Sequence, residues 1–95
     1  MMKIYDKAQW HIDAGENESV VLARFSTVFS FLNNHNLLSA EGAEIYDLGV
    51  DDSISLHERL LTVEGNKIMT LYYDHIISLE PSAIVSTLNK LINEM

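Results

Sequence analysis

The sequence predicts an all-α domain: a single compact bundle of about five to six short helices over residues 1–95. Three observations predict it. Apolar residues recur at three- and four-residue spacing along most of the chain, as a buried helix face requires. Helix-starting residues (Asn, Ser, Pro) and helix-stopping residues (Gly, Asn) flank several of these segments. Hydrophobic residues are 47% of the chain, enough for one core, and there is no linker, low-complexity segment or internal repeat to divide it.

The first helix is expected from about Tyr5 to Ala14, with Gly15 as its stop and Ile4, Ala8, His11 and Ile12 on one face. The second spans NESVVLARFSTVFSFLNN. Val21, Phe25, Val28 and Leu32 form its stripe, Leu22 and Phe29 widen it, and Asn17 is placed to cap it. Glu16 and Glu18 stand near the positive end of its dipole, and Asn33, Asn34 and Asn36 end it. A third helix starts after Ser39 and reaches Leu48 before Gly49. A fourth, short helix is expected over about Ser53 to Leu61. The fifth runs from about Val63 to Ser78, with Ile68, Leu71, Tyr72, Ile76 and Leu79 on one side. Its Ile, Tyr and Thr content also suits a strand over KIMTLYYDHIISL, but thirteen residues without a turn signal favour helix. The last begins at Pro81, a first-turn residue, and presents Ile84, Val85, Leu88, Leu91 and Ile92.

Composition narrows the function. There is no cysteine, which excludes a disulfide framework, a thiolate zinc site and a cysteine nucleophile. Six Lys and Arg stand against fourteen Asp and Glu, a formal net charge of −8. That argues against nucleic acid, whose phosphates require a basic face. The opening residues have no apolar run of signal-peptide length, and no stretch is apolar for long enough to span a bilayer. The expectation is a cytoplasmic protein that does not engage a membrane.

Few motifs carry chemistry. His57-Glu58 begins like the zinc signature H-E-x-x-H, but the second histidine position is Leu61. DLGVDDSISLHE, residues 47–58, has the length of an EF-hand loop; Gly49 and Asp52 occupy the positions that need an oxygen ligand and a glycine. A turn with a cap from Asp52 or Ser53 is the expected reading there. No phosphate-binding loop, dinucleotide fingerprint or nucleophile elbow occurs. No catalytic residue, metal site or cofactor is assigned. An acid–base or metal-assisted enzyme would need His11 and His75 to meet with Asp6 and Asp74.

The charge map is more informative. Between Arg24 and Arg59 there is no Lys or Arg, while Glu41, Glu44, Asp47, Asp51, Asp52 and Glu58 lie in that stretch. Like charges at this density repel unless something basic offsets them. Glu41, Glu44, Asp47, Asp51 and Asp52, with Tyr46 as an aromatic anchor, are therefore the expected contact set for a protein partner with a basic surface. Immunity proteins cap nuclease toxins in this manner. A homodimer or homo-oligomeric scaffold is also compatible with the composition.

The opening YDKAQWH gathers Tyr5, Asp6, Ala8, Trp10 and His11 into seven residues of the N-terminal segment. It resembles a family of small bacterial proteins, without known activity, that open YD-x-A-x-WH. The resemblance extends to FSFLNNHNLLS, residues 29–39, and to the Tyr-Asp pair in YYDHII, residues 72–77. It implies a single domain of this length and no catalytic residues. It marks Tyr5, Asp6, Trp10 and His11 as one unit, for docking the first helix or for a ligand.

Overall fold

The computed structural model describes residues 2–95. It is mainly helical, with one small sheet. Strand β1 (Ile4–Lys7) leads directly into α1 (Ala8–Asp13). Then come α2 (Glu18–Asn34), α3 (Ala40–Leu48), strand β2 (Ser55–His57) with a 3-10 turn (Glu58–Leu60), α4 (Val63–Ile76) and α5 (Pro81–Asn93). Phe29, Leu32, Leu56, Met69, Ile76, Ile84 and Leu88 are among the side chains with almost no solvent contact, so all the long helices and β2 share one core. Among the described residues no helix is long and apolar enough to cross a membrane.

Two of the expected helical segments are corrected. Residues Ile4–Lys7 are a strand, and the first helix begins at Ala8 rather than Tyr5. The fourth expected helix is replaced by β2 and the 3-10 turn. The two strands pair antiparallel, with Ile4 opposite His57, Asp6 opposite Leu56 and Lys7 opposite Ser55, and an irregularity between Ile4 and Asp6. Ile54 and Leu56 are buried, a two-residue period typical of a half-buried strand. Each strand makes the other viable, because a lone strand leaves its backbone groups unpaired. The partners lie some fifty residues apart, beyond the reach of local spacing.

The other helices keep their expected starts. Asn17 Oδ1 accepts from the backbone N–H of Val20 at 3.2 Å, Ser39 caps α3, and Pro81 opens α5. The strand alternative for residues 67–79 does not occur, since α4 runs through Ile76. Its buried face is rotated from the expected one. Leu71 is 51% exposed, and Tyr73 is buried with Ile68, Met69 and Ile76. Val85 on α5 is likewise exposed, beside fully buried Ile84 and Leu88.

The chain does contain a short repeat that periodicity passed over: LLSAEG at residues 37–42 and LLTVEG at 60–65. The structure pairs the two copies reciprocally. The N–H of Ser39 donates to the carbonyl of Leu60, and the N–H of Thr62 to the carbonyl of Leu37, both at 2.9 Å, around a Leu38–Leu61 bridge. Ser39 and Thr62 each accept from a glycine N–H three residues on, Gly42 and Gly65, both at 3.1 Å. Each hydroxyl also donates across the pair, Ser39 to the Arg59 carbonyl at 2.7 Å and Thr62 to that of Leu37 at 3.3 Å. The glycines permit the approach. A Cβ on Gly42 would stand 2.1 Å from the Leu60 carbonyl oxygen, and one on Gly65 2.5 Å from that of Leu37. The two capped starts of α3 and α4 are thereby locked back to back.

That crossing gives a stability prediction. Gly42→Ala should cost about 1–3 kcal/mol, the usual penalty of overpacking against atoms that cannot yield. Urea unfolding followed by circular dichroism measures it, and a cost near zero would show that the crossing relaxes freely.

Candidate functional site

The opening motif is built around a buried carboxylate. Asp6 is only 2% exposed, because the strand alternation that carries β1 into α1 turns it and Ala8 inward. A charge so placed needs partners. Asp6 Oδ1 accepts from the N–H of Lys7 at 2.9 Å, and Oδ2 accepts from the Tyr73 hydroxyl at 2.6 Å. His11 Nε2, one helical turn away on α1, lies 2.7 Å from Oδ2 and 2.9 Å from Oδ1.

The network continues beyond Asp6. His11 Nδ1 meets Glu16 Oε2 at 2.6 Å, and the other oxygen of Glu16 accepts from Arg24 of α2. Arg24, 8% exposed, also donates to the carbonyl of Ile77, just past the end of α4. Tyr73 and Ile77 thus close a ring of interactions through β1, α1, the α1–α2 turn, α2 and α4. Its formal charges balance: two carboxylates, one guanidinium and one imidazolium.

The imidazole faces a carboxylate on each nitrogen, so it donates from both only when protonated. Burial of the ring works against that charge, and the hydrogen bonds to Asp6 and Glu16 override it, so the pKa of His11 is raised above its usual 6.5. Glu16 is lowered, first by its bond to His11 and then by Arg24 despite some burial. Tyr73 is pushed far upward by burial and by the charge of Asp6, which keeps its hydroxyl a donor. The space enclosed by Asp6, His11, Arg24, Tyr73 and their apolar neighbours is about 10 Å³, at the lower limit for one water. The arrangement holds elements together and offers no room for a substrate.

The rest of the motif separates. The Tyr5 hydroxyl donates to Asn66 Oδ1 at 2.7 Å and lies 3.2 Å from Thr70 Oγ1, which docks β1 on α4. Trp10 is 52% exposed, with Lys7 Nζ 5.6 Å from its ring centroid. Asp6 and His11 meet as a unit, and Trp10 is not part of it. His75 is exposed, its ring edge-on to Tyr72 at 6.1 Å, and Asp74 is exposed as well. From α4 it is Tyr73 that reaches Asp6. Among the described residues no group of three or more His, Cys, Asp or Glu could hold a metal ion.

Sequence reasoning missed Glu16, Arg24 and Tyr73 as members of the network. Arg24 carried a usable signal: a cation between Val21, Phe25 and Val28 on an apolar stripe demands a buried partner.

The acidic set lies elsewhere. Glu41, Glu44 and Asp47 are exposed on α3, and Asp51 and Asp52 on the connection to β2. None of the five is in an ion pair among the described residues. Asp51 Oδ1 accepts from the N–H of Ser53 at 2.9 Å and its hydroxyl at 2.6 Å, so Asp51, not Asp52 or Ser53, organises this turn. Those bonds hold its carboxyl below the ordinary aspartate range. Glu58 is half-buried and turned to β1's side of the sheet, accepting from the N–H of Lys3 at 3.1 Å. Tyr46 is half-buried and stacks on Phe29, with ring centroids 6.5 Å apart and planes 6° apart, which fastens α3 to α2.

Compared with protein-family models, curated proteins and solved structures, the chain matches none.

Two predictions follow from the network. Asp6→Asn should destabilise the fold by about 3–5 kcal/mol, since it removes the buried charge that His11 pairs with and the carboxylate oxygen that Tyr73 donates to; a loss under 1 kcal/mol in urea unfolding would contradict the geometry. The stability supplied by His11 should be fully present below its unfolded pKa, near 6.5, and lost as pH rises through its higher folded value. Glu16 acts at the acid end, its contribution lost as pH falls through its depressed folded pKa. Unfolding of the wild type and of His11→Gln across pH 5–9 should show their difference shrinking as pH rises.

Proposed function

We propose that this chain is a small acidic module that binds a basic protein surface through the exposed face of α3 and the connection leading to β2. An immunity- or antitoxin-like inhibitor of a basic enzyme is the concrete form of that reading, and the cytoplasm its setting. The observation that carries it is the set of five exposed, unpaired carboxylates at Glu41, Glu44, Asp47, Asp51 and Asp52.

Two features strengthen it. The last turn of α3 contains no basic residue, so Asp47 adds its charge to the negative end of the helix dipole. That arrangement costs the free protein stability, and a cationic partner offsets it. The support beneath is rigid: the reciprocal LLSAEG–LLTVEG pairing fixes the start of α3, and Tyr46 on Phe29 fixes its middle. A surface already in place loses little entropy on binding. Tyr46 serves in this reading as a support under the face, since its ring is occupied by Phe29. The acid–base enzyme is the weaker reading, because the cluster that contains His11 is closed and His75 stands outside it.

The test uses the protein as bait in extracts of its source cells, beside the triple variant Glu41→Lys, Glu44→Lys, Asp47→Lys. The expected result is a basic protein retained by the wild type alone, with an affinity that falls steeply as salt is raised from 50 to 500 mM. Retention that survives both charge reversal and high salt would overturn the proposal.

A further inference from the structure

At the C-terminal end of α3 the acidic face opens into a groove of about 240 Å³. Ile45, Leu48, Ile54 and Leu60 supply its apolar walls, and Asp51 and His57 its polar groups. We propose that this groove receives one arginine side chain of the basic partner; the inference rests on the acidic-module reading and names its central contact.

Four observations converge on a guanidinium with an aliphatic stem. The volume is below that of a pocket for a drug-sized ligand or cofactor and suits a single side chain. Leu48 is 80% exposed at the groove, a large aliphatic group left in water that three methylenes of an arginine stem would cover. Asp51 spends only Oδ1 on Ser53; Oδ2 makes no hydrogen bond among the described residues and is free for a charge-assisted one. Leu48 and Gly49 end α3, so the unpaired carbonyls and negative pole of that helix lie at the same place.

His57 narrows the choice further. Its Nδ1 is buried and has no hydrogen-bond partner among the described residues. In the neutral ring with hydrogen on Nε2, that atom is an unsatisfied acceptor in the wall of the groove. Arginine is donor-only, with five N–H groups, and its guanidinium is less strongly hydrated than an ammonium, so it enters a half-closed groove more readily than lysine does.

The experiment is an NMR titration of the full chain with N-acetyl-arginine methylamide, with the citrulline analogue as a neutral isostere. Arginine should give saturable amide shifts confined to residues 45–57, with a Kd in the millimolar range, and citrulline should bind about tenfold more weakly. Asp51→Asn and Leu48→Ser should each weaken arginine binding several-fold; both side chains are exposed, so neither change threatens the fold. Non-saturating shifts spread along α3, equal binding of citrulline, or indifference to both substitutions would overturn the proposal. The two readings fail separately. A basic partner lost on reversal of Glu41, Glu44 and Asp47 but untouched by Leu48→Ser and Asp51→Asn would keep the acidic module and eliminate the arginine groove.

Discussion

A carboxyl group with almost no access to water sits at the junction of β1 and α1, and the surrounding elements supply its hydrogen-bond donors. Asp6 obtains donors from its own backbone neighbour, from α1 and from α4. Removing a carboxylate from water costs several kcal/mol unless such bonds replace its hydration. Meeting that demand fixes where α1 leaves the strand, which face α4 turns inward and why the chain after α1 must bring Glu16 back over His11. Tyr73 is buried in place of Leu71 for the same reason: the hydroxyl is needed at Asp6, and the ring follows it into the core.

A second constraint acts at the starts of α3 and α4. The two LL-(Ser/Thr)-x-Glu-Gly segments satisfy one another's backbone groups while each caps the helix that it begins. Serine and threonine do two jobs there, accepting from the helix N-terminus and donating across the crossing. Glycine at the third helical position is tolerated because a carbonyl occupies the space of its missing side chain. Acidic Glu41 and Glu64 precede those glycines, in the first turn where the helix dipole favours negative charge.

Two groups of charges sit in contrasting settings. Asp6, His11, Glu16 and Arg24 neutralise one another in a chain that runs from buried Asp6 to Glu16 at the surface. The carboxylates of α3 and its following turn have no such compensation and are held on a well-anchored helix. These five unpaired carboxylates lie where the backbone is braced. The histidine-carboxylate cluster has the residue types of an acid–base centre, but its side chains are spent on one another and leave a space of only about 10 Å³.

Residues 18–34, 40–48 and 81–93 were legible as helices because their information is local: a stripe of apolar side chains, a capping Asn or Ser, a first-turn Pro. Local too was the imbalance of charge between Arg24 and Arg59, since it needs only a count along the chain. The YDKAQWH unit could be singled out, and Asp6 and His11 do meet, yet their partners could not be named. Glu16 reaches His11 across a turn, Tyr73 comes from a distant helix, and Ile4 with Ala8, His11 and Ile12 imitates a helical stripe that a strand interrupts. The β1–β2 pairing, the inward turn of Tyr73 and the groove beside His57 were decided only in three dimensions. In each, a backbone or carboxyl group is satisfied by a residue remote in sequence, and hydrogen-bond complementarity at that range leaves no periodic mark on the chain.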